Sequence, residues 1–256
     1  MRNIDIDREI ERISAFIKGY FSEAGFSKAV IGLSGGIDSA VSAALTAKAL
    51  GPENVWGFML PYKASDPNSL AHALELVTAI GIPHRVIPIS TWTDTYFDDY
   101  EPGADQLRRG NWMARARMCV LFDQSASLRA LVIGTSNRSE LLVGYFTQYG
   151  DSACALEPIG HLYKTEVKAM AARLRIPTSI IAKAPSADLW SGQTDEAEMG
   201  ISYKNLDEAL FDLTERNIQT WSPALPYSQA DFDRASQLMR RSAFKRINPP
   251  IPEPPC

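Results

Sequence analysis

The chain has 256 residues, of which 45% are hydrophobic and 22% charged, and its formal net charge is −4 at pH 7. This length fits one large domain of 1–256, and the apolar content can fill its core. The acidic balance disfavours nucleic acid as the main partner, because phosphate backbones select clustered Lys and Arg. No apolar run reaches the roughly 18 residues that would span a bilayer.

The N-terminal segment and the cysteine content indicate in which cellular compartment the protein is expected. The opening segment, MRNIDIDREIERI, is charged and lacks the apolar stretch of a signal peptide. Three cysteines, Cys119, Cys154 and Cys256, form no CxxC pair and no even set. This usage is typical of a reducing compartment, so we expect a cytoplasmic protein.

Strands and helices alternate along the first half of the chain. Helical spacing of apolar residues marks helices around Ile10–Ile17, Ile37–Leu45, Leu70–Ile80 and Met113–Val120. Short apolar segments predict strands at Lys28–Leu33, Asn54–Leu60, Arg85–Ile89 and Ala130–Ile133. The first is nearly continuously apolar, as expected of a strand that is buried on both faces of a parallel sheet. Pro88 lies within the third of these and is expected to disturb its far end. The alternation predicts an α/β fold with a doubly wound parallel sheet flanked by helices.

The second half is different in character. Apolar spacing predicts helices around Tyr163–Leu174 and Leu206–Leu213, and no further strand is evident. The acidic and aromatic segment Asp94–Glu101 is expected to be a mobile surface loop. The proline-rich residues 247–256 cannot form a regular helix and are expected to be extended.

The strongest functional signal is the segment Ser34-Gly35-Gly36-Ile37-Asp38-Ser39, between the first strand and its helix. Ligands of such sheets bind at the carboxyl ends of the strands, where this loop is placed. Two glycines allow the backbone to approach a phosphate, and the following helix offers free N–H groups. The loop matches neither the Walker A pattern nor GxGxxG.

Asp38 is the unusual member of this loop, because a carboxylate repels phosphate. Its presence is explained if a hard cation lies between them, and Mg²⁺ prefers one or two carboxylates together with phosphate oxygens. The alternative is that Asp38 only interacts favourably with the dipole at the start of the helix.

This loop is similar to the SGGxDS loop of the N-type ATP pyrophosphatases. The resemblance implies an adenine nucleotide alpha hydrolase-like, Rossmann-like fold that binds ATP and holds the departing pyrophosphate. Four further segments resemble the ammonia-dependent NAD synthetases and extend the likeness over nearly the whole chain: GNWMARARM (110–118), GTSNRSELLVGYFTQYGD (134–151), PIGHLYKTEVKAMAARL (158–174) and PSADLWSGQTDEAEMG (185–200).

Two charged residues in these segments also make chemical sense without the family. Glu140 follows the fourth strand, at the same sheet edge as the loop, and is the natural second carboxylate for Mg²⁺. Lys164 lies near the start of a helix, where the dipole disfavours a cation, and binding to an ATP phosphate would explain its placement. A solvated acid and a plain surface lysine are the simpler alternatives.

The resemblance implies a set of site residues. Those assigned to ATP are Gly32, Leu33, Ser34, Gly35, Gly36, Ile37, Asp38, Ser39, Thr135, Lys164 and Ser186. Those assigned to deamido-NAD are Arg115, Gln148, Asp151, Ala155, Phe244 and Lys245. Asp38 and Glu140 would bind the metal, and Asp38, Glu140, Lys164 and Asp151 would act in catalysis. At Gln148, Ala155 and Phe244 the chain departs from the best-known branch of the family, which has Lys, Asp and His there.

The implied reaction joins ammonia to the pyridine carboxylate of deamido-NAD. The carboxylate would attack the α-phosphate of ATP to give an acyl-adenylate and pyrophosphate, and ammonia would then displace AMP. The family also implies a homodimer. We expect no glutaminase domain, because only 27 residues precede the first strand.

Two other functions stay open on the sequence. A tRNA-modifying member of the superfamily would need a thiol pair or a basic RNA-binding face, and the chain offers neither clearly. A non-enzymatic adenine-nucleotide sensor could keep the glycines, but it would have no need of Glu140 and Lys164 alongside Asp38.

Overall fold

The computed structural model describes residues 2, 4–186, 188, 190 and 192–252. Its centre is a parallel sheet of four strands in the order β3-β2-β1-β4. The strands are β1 (Lys28–Gly32), β2 (Val55–Met59), β3 (His84–Val86) and β4 (Ala130–Ile133). Ile31 of β1 pairs with Gly57 on one side and Ile133 on the other. The predicted parallel α/β sheet is confirmed, and its strand order changes direction between β1 and β4.

Helices surround the sheet. They are α1 (Ile6–Ala24), α2 (Ile37–Leu50), α3 (Pro67–Ile80), α4 (Ser90–Tyr100), α5 (Gln106–Leu128), α6 (Arg138–Val143), α7 (Lys164–Arg173), α8 (Thr178–Ala182), α9 (Asp195–Met199), α10 (Tyr203–Thr214) and α11 (Gln229–Arg241). Short 3₁₀ turns occur at Pro52–Asn54 and Ala243–Arg246. In the part of the chain that the structure describes, no helix has both the length and the hydrophobicity needed to cross a bilayer.

The sheet is covered on both faces. Successive residues of β1 point to opposite sides, so Ile31 packs in the core with α1, α2 and α7, whereas Val30 packs in the core with α5. Both side chains are fully buried. Burial on both faces is the reason that β1 is continuously apolar rather than alternating, whereas the edge strand β3 is exposed.

A third core holds the second half of the chain together. It contains Tyr163, Leu206, Leu210 and Phe232 and joins α6 to α10 and α11. The predicted helices at α7 and α10 are confirmed. Outside the four strands, the backbone of Leu156 forms one isolated parallel bridge with Ile133, which ties this half to the edge of the sheet.

Three further predictions concern single segments, and one of them is wrong. The expected surface loop at Asp94–Glu101 is wrong, because these residues lie in α4 and its C-cap, where Phe97 is buried and Tyr96 stacks on Trp112 of α5 with ring centroids 3.8 Å apart. Strand β3 ends at Val86, before Pro88. Residues 247–252 have no regular structure, and the rest of the predicted tail lies outside the described residues.

Candidate functional site

The loop between β1 and α2 is shaped by its glycines and serines. Gly35 has a φ of +73°, and a Cβ there would lie 2.1 Å from the backbone oxygen of Ser69, so only glycine fits. The Ser39 hydroxyl donates to the Gly36 oxygen at 3.0 Å, and the Gly36 N–H donates to Ser34 Oγ at 3.2 Å. Gly36 caps α2 without a side-chain hydrogen bond, which leaves N–H groups of the first turn open to an anion.

Lys164 joins the two predicted metal ligands. Its Nζ donates to Asp38 Oδ2 at 2.5 Å and to Glu140 Oε1 at 3.2 Å. The lysine is only 6% exposed. Burial alone would lower the pKa of Lys164, but the neighbouring carboxylates raise it above its ordinary value, so the ammonium stays charged.

Local structure explains how Glu140 reaches this position. The segment NRSE forms a capping box at the start of α6: Asn137 Oδ1 accepts from the Glu140 N–H, and Glu140 Oε2 accepts from the Asn137 N–H. The other oxygen, Oε1, is thereby turned toward Lys164. Asn137 also donates to Asp38 Oδ1 at 2.9 Å, so one side chain orients both acids. Burial raises the pKa of Glu140, and the charge of Lys164 opposes that rise.

A second group of side chains, which the sequence analysis did not identify, surrounds these acids. The hydroxyl of Tyr203 lies between Glu140 Oε1 at 3.3 Å and Asp195 Oδ2 at 3.0 Å. The hydroxyl of Tyr145 lies between Asp195 Oδ1 at 3.1 Å and Glu198 Oε2 at 2.5 Å. Asp195 and Glu198 are three residues apart on α9, and this spacing places them on one helix face. Burial raises the pKa of Asp195.

The acids fit a magnesium ion. Because the carboxylates of Asp38 and Glu140 contact the same ammonium nitrogen, both can reach a single cation. With Asp195, three acids lie around one lysine, and this excess of negative charge favours a further positive charge. The described residues contain no group of three or more His, Cys, Asp or Glu side chains arranged to hold a metal ion. Mg²⁺ needs no such group, since it takes most of its ligands from phosphates and water.

These residues line a cleft of about 700 Å³ at the carboxyl edge of the sheet. Ten of the eleven residues predicted to bind ATP line it: Gly32, Leu33, Ser34, Gly36, Ile37, Asp38, Ser39, Thr135, Lys164 and Ser186. Gly35 lies behind the loop surface, against Ser69. The structure therefore brings together residues from β1, α2, the β4 edge, α7 and the segment after α8.

The residues predicted to bind deamido-NAD divide into two sets. Asp151 and Lys245 line the cleft, with Asp151 Oδ1 accepting from the Thr147 N–H and Lys245 Nζ donating to the oxygens of Gly144 and Phe146. The other four do not line it. Arg115 is exposed on α5 and donates to the Gln148 backbone oxygen, Phe244 is 60% exposed, and Ala155 packs against the core beside β4.

The cleft contains Arg117, which was not predicted as a site residue from the sequence. Its Nε donates to the Leu60 oxygen at 2.9 Å, and no carboxylate of the described residues lies within ion-pair distance. Burial lowers the pKa of Arg117, although a guanidinium remains charged. GNWMARARM contains both arginines, and residues two apart point to different faces of a helix. The motif could not show which of them faces the cleft.

The segment after β4 is held by a partly buried acid. Glu157 Oε2 accepts from the Ser136 N–H at 3.0 Å, next to the predicted ATP contact Thr135. Burial raises the pKa of Glu157 to about 7. Cys154 and Glu157 both pack against Gly134, where a Cβ would lie 2.3 Å from the Glu157 carboxylate.

Comparison with known proteins gives consistent results. The family model described as NAD synthase matches residues 9–249. The NH(3)-dependent NAD(+) synthetase of Fusobacterium nucleatum is 48% identical over 255 residues, which cover 98% of each chain. An NMN synthetase structure from Francisella tularensis superposes with a TM-score of 0.88 at 31% identity, covering 98% of this chain and 99% of that one. An NH3-dependent NAD synthetase from Campylobacter jejuni, in complex with the nitrate ion, gives 0.82 at 35% identity, with coverage of 98% and 100%.

Proposed function

We propose that this chain, which belongs to the NAD synthase family, amidates deamido-NAD with ammonia and ATP to give NAD, AMP and pyrophosphate. The observation that carries this proposal is the meeting of the open α2 N-terminus, Asp38, Glu140 and Lys164 in one cleft. The same reaction, and the adenine nucleotide alpha hydrolase-like fold, were predicted from the sequence. A sensor would not need the buried acids, and the relatives give no support to a tRNA-modifying function.

In the first step, two anions must approach each other. The open N–H groups at the start of α2 would hold the terminal phosphates of ATP, and Lys164 would add positive charge beside them. Asp38 and Glu140 would hold Mg²⁺, which supplies charge neutralisation on the phosphates when it is bound. The protein contributes chiefly position and charge to such phosphoryl transfer.

In the second step, ammonia attacks the carbonyl carbon of the acyl-adenylate. The bond from that carbon to the phosphate oxygen breaks, AMP leaves with the electron pair, and a proton must leave the nitrogen. We assign its acceptance to Asp151, which lines the cleft and is held by the Thr147 N–H. The backbone hydrogen bond fixes the direction of the carboxylate.

A pyrophosphate-release assay tests the reaction. Purified protein with ATP, Mg²⁺ and ammonium should release pyrophosphate only when deamido-NAD is added. Release that is independent of this substrate would contradict the proposed function. In Asp38→Asn the turnover number should fall at least about 100-fold while the KM for ATP changes much less, because the lost carboxylate acts mainly on the developing charge. Equal turnover by this variant would contradict the metal assignment.

A second candidate function is amidation of the corresponding mononucleotide acid to give NMN. Two observations favour it: the TM-score of 0.88 to an NMN synthetase, and the position of Arg115, Gln148, Ala155 and Phe244 outside the cleft. The 48% identity to an NAD synthetase favours the dinucleotide. Measuring kcat/KM for both acids under the same conditions decides between them.

We further propose a single-domain, cytoplasmic homodimer. Phe16 and Tyr20 support the dimer, because they are 49% and 37% exposed on α1 while the opposite face of that helix is buried. Light scattering coupled to size-exclusion chromatography measures the mass. A monomer at micromolar concentration would contradict the dimer.

A further inference from the structure

Two polar side chains with no role in the proposed mechanism, Lys183 and Ser69, lie next to the loop between β1 and α2. Lys183, just after α8, donates from Nζ to Ser69 Oγ at 2.7 Å. Ser69 is 6% exposed and packs directly on the loop, since its backbone oxygen excludes a Cβ at Gly35. Both residues line the cleft.

This pair carries donors that lack acceptors. An ammonium has three N–H groups, and for Lys183 the only acceptor in the described part of the chain is Ser69 Oγ. The Ser69 hydroxyl accepts that bond, so its own hydrogen is left to donate, and no described residue receives it. No carboxylate of the described residues lies within ion-pair distance of Lys183, in contrast to Lys164 with its two acids.

The surroundings also favour an anion. Ser69 is in the first turn of α3, a helix of 14 residues, where the dipole is positive. The nearby acids are turned to backbone amides: Asp66 Oδ1 accepts from the Asn68 N–H, and Asp188 Oδ1 accepts from the Asp66 N–H. A partly buried lysine without a counter-ion is costly, and a bound anion would remove that cost.

We propose that Lys183 and Ser69 form a subsite for the two terminal phosphates of ATP, and for the pyrophosphate that they become. This proposal rests on the proposed function. A diphosphate group is also present in the dinucleotide, but contact between Ser69 and the loop places the pair at the ATP phosphates. Ser186, a predicted ATP contact, lies three residues after Lys183 on the same cleft-lining segment.

The subsite would act on the leaving group. When the substrate carboxylate oxygen bonds to the α-phosphorus, the bond from that phosphorus to the bridging oxygen breaks, and its electron pair goes to pyrophosphate. Lys183 and Ser69 would stabilise the charge that develops there, on the side of the loop formed by Gly35. No proton transfer is needed in this step.

Equilibrium binding of pyrophosphate, with Mg²⁺ and without turnover, tests the subsite by calorimetry. Lys183→Met should weaken pyrophosphate binding at least about tenfold, as expected for loss of a charged hydrogen bond. Ser69→Ala should weaken it less, and Lys183→Arg should retain most of it. Lys168→Met is the matched control, since Lys168 is exposed on α7 and does not line the cleft. Deamido-NAD affinity should be unchanged in all four.

Two results would overturn the subsite. One is pyrophosphate affinity in Lys183→Met equal to that of the wild type. The other is a loss of deamido-NAD affinity with pyrophosphate binding unchanged, which would assign the pair to the dinucleotide. If Lys183→Met does not fold, Ser69→Ala carries the comparison, and pyrophosphate affinity in Ser69→Ala equal to that of the wild type would have the same meaning. Because binding is measured without turnover, the result is separate from whether the wild type releases pyrophosphate from ATP.

Discussion

Replacement of Lys164 by methionine tests two things: how much its ion pairs stabilise the fold, and whether Asp38 and Glu140 share a metal ion. The change removes the positive charge between Asp38 and Glu140 and keeps a side chain of similar length. Asp38 and Glu140 are 17% and 13% exposed, and the lysine side chain 7%, so water can screen the remaining carboxylates only in part. Removing one partner of a buried ion pair costs about 3–5 kcal/mol.

Urea denaturation measures this cost. With an m-value of about 2–3 kcal/mol per M, the midpoint of Lys164→Met should fall by about 1–2 M in buffer without divalent ions. Lys168→Met on the same helix should change the unfolding free energy by no more than about 0.5 kcal/mol, as expected for an exposed site. A loss below about 1 kcal/mol in Lys164→Met would refute the interaction inferred from the geometry.

Addition of Mg²⁺ then tests the metal assignment. In Lys164→Met the two carboxylates lack their cation, so Mg²⁺ should bind them more tightly than in the wild type and raise the unfolding free energy through ligand linkage. The stabilisation by Mg²⁺ should therefore be larger in the variant. Equal stabilisation of both proteins would show that Asp38 and Glu140 do not share a metal ion.

Three further predictions concern the loop, the β4 edge and α5. Gly35→Ala should lose about 1–3 kcal/mol of unfolding free energy in urea, because its φ is +73° and its Cβ meets a backbone oxygen, whereas Gly103→Ala, in open space, should not. Burial raises the pKa of Glu157 from 4.5 to about 7, so the stability that this residue contributes should fall as the pH rises from 4.5 to 7. Unfolding free energies measured in urea at several pH values should therefore decrease less steeply over this range in Glu157→Gln than in the wild type. Arg117→Met should weaken binding of the dinucleotide acid at least about tenfold by calorimetry, whereas Arg115→Met, on the exposed face, should change it far less.

The fold was largely predictable because its signals are local. Both faces of β1 are covered, so an unbroken apolar segment such as Lys28–Leu33 has few alternatives to a buried strand. Helix α4 was not predicted, because its sequence, STWTDTYFDDY, is mostly polar and buries only Thr93 and Phe97 in the described structure. Its stability depends on contact between Tyr96 and Trp112 on α5, a tertiary contact that no local pattern contains.

The position of a candidate residue was predictable where one motif fixes it. Asp38 was predicted from the loop, and Glu140 from its place just after the fourth strand. Asp195 and Tyr203 come from a distant part of the chain and reach Glu140 only because α9 and α10 pack beside α6 and α7. Which of Arg115 and Arg117 faces the cleft depends on the orientation of α5 relative to the sheet, and the sequence does not give that orientation.

The distribution of charge in the cleft differs from the net charge of the chain. A net charge of −4 would repel ATP and a nucleotide acid if it were spread evenly. The cleft instead contains Arg117, Lys183 and Lys245, none of which has a carboxylate of the described residues within ion-pair distance. The acids Asp38, Glu140 and Asp195 are gathered around Lys164, where a divalent cation fits. Local fields in a cleft govern the approach of a charged ligand more strongly than the total charge does. On the proposed function, two anionic substrates would therefore bind side by side in a protein that is acidic overall, and Arg117, Lys183 and Lys245 would hold their negative groups.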